Sequence, residues 1–560
     1  MSSRPPVVPS LSIRGQVWFL AAAAILLLLC GSSNLPLIDR DEPRFAEATR
    51  EMMQRHDWLV PTFNGAYRFD KPPLTYWAMA VFYKLGGTNE LTARLHSIVS
   101  TLALALVVYA AGSRWFSPLT GFGAAFGLLT SLQILLHGRL SVADMPMVLA
   151  MAVAQVALFE ILSESELEEQ ANRKARRRWR WTLYLALAAG FLAKGPVALA
   201  VPLLTALLYR FAFWRKPQPW GRLKLHWGLL LVLALVGAWG IPGLIETHGL
   251  WWKVGMGEHV VDRGMEALNS RHYFAPYYLA TAFLSYFPWI AFLGYGVVAL
   301  RRNWNERNAF LLSWLAAPYL IFLAYATQLP HYILPAFPAF FLILAQGLSL
   351  RSPLPRWPRG LAWGVLAVYA LLPLALLAVL AVVPAALAPL RLALLGIAAV
   401  LGGLVLLGVL FLTDRLGAAR WPVVVIALGF LVAAAGLRPL LPALKVAELA
   451  QGMPPGTRYA AYGFTEGSLV FYTGTLWKMD PAPSALDDLV RPGPRVVVQL
   501  KSEVKIGDAL KWAGQRLGGG HPALKVSPHP YAPDADAVEV SGLNFARASW
   551  ETIAVTVEKR

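Results

Sequence analysis

Five ionisable residues stand out in a chain that is 57% hydrophobic and only 15% charged. Asp41 opens "DEPRFAEATREMM", Asp70 and Lys71 sit together in "RFDKPPLTYW", Asp144 lies in "HGRLSVADMPMVLA" and Lys194 in "LAAGFLAKGPVALA". An acid just before Pro43 is an ordinary way to start a helix, so Asp41 alone reads as a cap. Its repetition at residues 70 and 144 reads differently. A charge near membrane depth is costly unless paired or solvated, and by default it marks a functional site. Carboxylates with cations beside them at one interface suit a sugar carried on a phosphate. The acids face the reacting carbon and hydroxyl, and the cations hold phosphate oxygens.

Other polar residues fall on the same expected side. "WWKVGMGEHVVDRG" supplies Lys253, Glu258, His259 and Arg263, "NSRHYFAPYY" supplies Arg271, His272 and Tyr273, and "QLPHYILP" supplies His331 and Tyr332. Most of the Trp and Tyr residues read as an interfacial aromatic belt. A His and an acid could coordinate a divalent ion, but no HxxxH or HxxE spacing occurs on one helix, so no metal or other cofactor is expected to be required. Neither a GxGxxG fingerprint nor a Walker loop is present, so nucleotide handling is not indicated.

The elements that must position these residues are membrane helices. The 560 residues have a mean hydropathy of +0.51. Apolar runs of about 17 to 25 residues recur, each the length of a crossing. They begin at 15–31, read as an anchor rather than a cleaved signal, and end at 420–437, giving about thirteen expected spans. The net charge of +18 concentrates between runs, with six Lys or Arg in 172–180, five in 210–224 and three in 301–307. With these thirteen spans an even number precedes each segment, so all three fall on the N-terminal side, which the positive-inside rule makes cytoplasmic. The excess charge is thereby accounted for without nucleic acid. Cys30 is the only cysteine, which excludes an intramolecular disulfide.

The expected organisation is a membrane domain over 1–440 and a small periplasmic α/β domain over 441–560. The membrane domain carries two large outer loops, 32–91 and 247–276. In the first loop, Phe45, Thr49 and Met52 recur at helical spacing, with Arg44, Glu47, Glu51 and Arg55 on other faces. This predicts an amphipathic helix at the membrane surface, followed by a second after Pro72 and Pro73. In the tail, "GSLVFYTG" and "RVVVQLK" read as strands and "IGDALKWAGQRL" as a short helix.

"DRDEPRFAEATREMM", "GAYRFDKPPLTYWAMAVFYKLGG" and "ADMPMVLA" together resemble the membrane glycosyltransferases that use polyprenyl-phosphate sugars, the GT-C enzymes related to protein O-mannosyltransferases. Among them the chain is most similar to the 4-amino-4-deoxy-L-arabinose transferases that modify lipid A and so confer polymyxin resistance. The resemblance implies a polytopic α-helical GT-C fold and Asp41 and Asp144 as catalytic acids. It implies Lys71 beside the donor phosphate, with Arg44 at a position where the family often keeps Arg and "QLPHY", with His331 and Tyr332, as its outer-loop signature. Asp70, Lys194, Arg263 and Arg271 join them as expected binding residues because they are polar groups on the same side. The resemblance also implies an inner-membrane monomer that moves aminoarabinose from undecaprenyl phosphate to lipid A with inversion at the anomeric carbon. Two rival readings are transfer of another lipid-linked sugar to a protein or glycolipid hydroxyl, and a lipid transporter or flippase.

Overall fold

The computed structural model describes residues 12–163, 171–266, 277–350, 355–480, 493–505, 507–508, 527–528, 537–545 and 547–559. Among them seven helices are long and apolar enough to cross a membrane: Glu90–Trp115, Asp144–Leu162, Trp220–Glu246, Pro330–Leu348, Trp357–Ala381, Ala388–Leu412 and Arg420–Leu440. An eighth is reached if Tyr277–Ser285 and Trp289–Arg302, bent by 107° at Pro288, count as one broken span. The protein is multi-pass, but among the described residues there are seven or eight long apolar spans, not the expected thirteen.

The excess came from treating every apolar run as one full helix. Ile13–Leu29 has 17 residues, a rise of about 25 Å against a ~30 Å hydrocarbon core. Pro118–Leu129 has 12 residues, and Val197–Leu208 carries Pro202 inside it and passes into a π-helical turn. The run ending at Lys194 belongs to the 24-residue Ala171–Lys194 helix, whose first half is strongly basic. Proline and charge divide these runs into shorter pieces. The sidedness argument needed an even number of crossings before each basic segment, and with the span list revised it loses its basis.

Two cores result. The larger joins the membrane helices, from Leu20 through Trp289 and Trp314 to Ile426. The smaller lies in a sheet ordered Lys478–Met479, Arg458–Tyr462, Arg495–Lys505, Ser549–Glu558, Val538–Asn544, with Ser527–Pro528 also paired to Arg495–Lys505. The first three strands are mutually parallel and the others antiparallel. Alternation along "RVVVQL" explains the central strand. Val496, Val498 and Leu500 enter the core under the Pro442–Leu449 and Gly467–Thr473 helices, while Val497 joins Ala460 and Tyr462 on the opposite face.

"GSLVFYT" is therefore a helix, not the strand its aromatic and β-branched content suggests. Gly474 ends it in the left-handed region (φ 69°), and its exposed carbonyls meet the first loop. The helix expected at 506–517 falls almost wholly outside the described residues.

The first loop departs from expectation in one respect. The Asp41–Arg55 helix buries Phe45, Thr49 and Met52 against Tyr76, Met79 and Tyr83 of the Leu74–Gly86 helix, with Phe45 stacked on Tyr76 at 5.3 Å. Its acidic face is covered as well. Glu47 pairs with Arg50 at 2.6 Å, and Glu51 accepts bonds from Thr62 Oγ1 and the Asn64 amide. Protein thus covers both faces of this helix, not the apolar one alone.

Candidate active site

Helix ends place the acids and one of the cations. Asp41 and Asp144 are the first residues of their helices, where unpaired amides favour an anion, and Lys194 is the last residue of its helix, where carbonyls favour a cation. Arg40, not Asp41, occupies the cap position, a one-residue difference. Gly195 (φ 88°) and Pro196 then turn the chain so that Lys194 Nζ reaches Asp144 Oδ1 at 2.5 Å. Pro72 and Pro73 fix the other turn. Asp70 there accepts from Lys71 at 2.8 Å and from Arg68 at 2.9 Å.

These ends converge on one cavity of about 460 Å³. Asp41, Arg44, Asp70, Lys71, Asp144, Lys194, His331 and Tyr332 all line it. Arg271 lies outside the described residues, and of Arg263 only the backbone is described, so neither is placed in the cavity. His272 and Tyr273 are likewise outside the described residues.

Arg68 also lines the cavity, although sequence reasoning passed over it. It bridges Asp70 and Tyr76, and its guanidinium lies 5.0 Å over the Phe45 ring. The signal was its position two residues before Asp70. Tyr67 and Phe63, from the short hairpin Thr62–Phe63/Ala66–Tyr67, add an aromatic wall.

Among the described lining residues four cations face three acids, so the cavity favours an anionic guest. Lys194 lies 5.8 Å from the Tyr332 ring centroid, which orients its ammonium without neutralising it. His137, Asp144 and His331 each bring one ligand atom to within 4.8 Å of the others, a grouping that could hold a divalent ion. Local spacing could not reveal it, because His331 arrives from a distant segment. Lys194 already donates to the same carboxylate, so the positive charge such an ion would bring is partly supplied by the chain.

Just outside the cavity, burial pushes the Asp39 carboxyl up to about 7, with hydrogen bonds from Ser468 pulling the other way. Glu47 is also raised to about 7 by burial, against the pull of Arg50.

Comparison with known proteins fits this geometry. Residues 19–249 match the family model of dolichyl-phosphate-mannose-protein mannosyltransferases. The chain is 32% identical over 380 residues to the undecaprenyl phosphate-alpha-4-amino-4-deoxy-L-arabinose arabinosyl transferase of Aeromonas salmonicida, covering 66% of each. The corresponding protein of Pectobacterium carotovorum is 33% identical over 353 residues, covering 60% of each. The aligned portion thus falls just short of two thirds of these relatives' length. Among solved structures, ArnT from Cupriavidus metallidurans bound to undecaprenyl phosphate superposes with a TM-score of 0.74 at 21% identity, covering 97% of this chain and 98% of that one. The Archaeoglobus fulgidus oligosaccharyltransferase AglB superposes with a TM-score of 0.53 at 11% identity, over 93% and 75%. The chain thus has the fold of ArnT, and in sequence it is similar to the arabinosyl transferases and, over residues 19–249, to the mannosyltransferase family model.

Proposed function

We propose that the protein is a glycosyltransferase that moves 4-amino-4-deoxy-L-arabinose from undecaprenyl phosphate to a phosphate of lipid A. The observation that carries this reading is the single cavity in which Arg44, Arg68, Lys71 and Lys194 surround Asp41, Asp70 and Asp144 at or near helix ends. A polyprenyl tail stays among the helices while its phosphate meets the cations. Similarity to the named arabinosyl transferases supports the choice of sugar.

In the reaction an oxygen of the acceptor phosphate attacks the anomeric carbon. The bond from that carbon to the donor phosphate oxygen breaks, and its electron pair leaves with undecaprenyl phosphate. Attack from the face opposite the leaving group inverts the anomeric centre. Lys71, Arg44 and Lys194 stabilise the charge growing on the leaving phosphate. A phosphomonoester has its second pKa near 6 and is already an oxyanion at neutral pH, so it needs no general base. The carboxylates then serve another purpose. Asp41, exposed into the cavity, supports positive charge at the anomeric carbon or holds the ammonium of the sugar, and Asp144 holds Lys194 in place. His331 and Tyr332 close the side of the phosphate site, and Asp70 orients Lys71.

The same reading makes 1–440 the transferase domain and 441–560 a periplasmic domain of a monomeric inner-membrane protein. The basic segments and N-terminus then face the cytoplasm, and Arg263 and Arg271 contribute from the 247–276 loop.

The test is reconstitution. Purified protein in liposomes receives undecaprenyl-phosphate aminoarabinose and lipid A, and mass spectrometry detects the added pentosamine. Absence of the product, with folded protein and both lipids present, rejects the proposal. Asp41→Asn should fold and lose about 100-fold in turnover; near-normal turnover removes Asp41 from any central role.

A further inference from the structure

The first-loop wall of the cavity is fastened to the C-terminal domain by contacts on both sides of Asp41 and Arg44. Ahead of them, the Leu37 amide donates to Tyr472 Oη at 2.8 Å, and Asp39 accepts from the Ser468 amide at 2.9 Å and from Ser468 Oγ at 2.6 Å. Behind them, Arg50 donates to the Phe471 carbonyl at 3.3 Å, and Asn64 and Trp477 exchange two hydrogen bonds at 2.7 and 2.8 Å. Two donors from one serine converge on one carboxylate, which fixes Asp39 in position and orientation, two residues from Asp41.

A second observation concerns Gly467, the neighbour of Ser468. A Cβ there would stand 3.1 Å from Arg44 Cγ and 3.5 Å from Phe63 Cζ, so the glycine backbone itself forms the surface on which Arg44 rests. Arg44 Nε is buried and makes no hydrogen bond. Packing against Gly467 and Phe63 thus places this cavity cation.

We propose that Ser468 is a positioning residue for the donor site: by clasping Asp39 it sets Asp41 and Arg44 against the cavity, so the C-terminal domain governs affinity for a polyprenyl phosphate. This rests on the reading of the cavity as the site of a lipid-linked phosphate. Misplacement of a charged group by about 1 Å is enough to change binding and turnover by one to two orders of magnitude.

The experiment titrates the full-length protein in detergent with undecaprenyl phosphate and reads Kd and stoichiometry separately. Ser468→Ala should weaken Kd about tenfold with stoichiometry retained, and Ser468→Thr, which keeps both donors, should restore it. In an Arg44→Ala background, Ser468→Ala should cost little more, because both changes act on the same wall. An unchanged Kd in Ser468→Ala overturns the proposal. So does reduced stoichiometry at wild-type Kd, the signature of mere instability, or strict additivity with Arg44→Ala. Failure of the wild type to bind the probe at all rejects the cavity reading itself.

Discussion

Two acid–base pairs, Glu42–Arg94 and Asp144–Lys194, have the same formal chemistry and opposite uses. Each joins an acid in the first turn of a helix to a cation from another helix, Glu42 Oε2 to Arg94 at 2.9 Å and Asp144 Oδ1 to Lys194 at 2.5 Å. Arg94 is fully buried, and it donates also to the carbonyls of Ser32, Leu35 and Pro36, while Glu42 takes further bonds from the Ile38 and Ser141 amides. Nothing is left over for a guest. Lys194 keeps 15% of its side chain accessible and opens on the cavity. A saturated pair holds the loop in place, and an unsaturated one stays open to a guest in the cavity.

This contrast can be broken most forcefully at Arg94. Arg94→Ala strands the Glu42 carboxylate and should cost about 3–5 kcal/mol, visible as a large fall in melting temperature and in folded yield. A near-normal melt would mean that saturation confers no stability. Lys194→Gln should do the reverse, reducing turnover about 100-fold while shifting the melt far less than Arg94→Ala, because Asp144 keeps access to the cavity. Equal destabilisation by the two variants would erase the distinction.

A last comparison concerns pH. Asp39 titrates near 7 in the folded chain and near 3.8 when unfolded, so the folded state binds the extra proton. Its contribution to stability is fully present below about 4 and is lost as pH rises through 7. Glu466 on the C-terminal domain pushes the value up further, and Arg44 on its own loop pulls it down. Asp39→Asn should flatten the melting-temperature profile between pH 4 and 7 relative to wild type; an unaltered slope assigns that slope to other groups, Glu47 among them.

The residues that line the cavity were the most legible part of the sequence, because Asp41, Asp70, Lys71 and Asp144 violate an otherwise apolar pattern and helix starts and prolines announce their positions. Arg94 was not, since its partner lies 52 residues away and the arginine reads as the edge of a span. The count of spans failed because hydropathy does not see how Pro202, Pro288 or a basic half-helix divides a run. "GSLVFYT" misled because tertiary contacts, above all Arg50 on its terminal carbonyls, outweigh the strand preference of Val, Phe and Tyr. The covered acidic face of the Asp41–Arg55 helix was hidden for a similar reason: Thr62 and Asn64 cap it only after the hairpin closes.

The bond between Arg50 and Phe471 joins residues 421 positions apart. Biosynthesis delivers the loop early and its counterpart near the end, so the ribosome has made most of the chain before this wall has anything to lean on. A nascent polypeptide stopped short of residue 467 carries every charged group of the cavity yet lacks the brace that aligns them. On the proposal that Ser468 positions this wall, the cavity is aligned only once the last segment has been made.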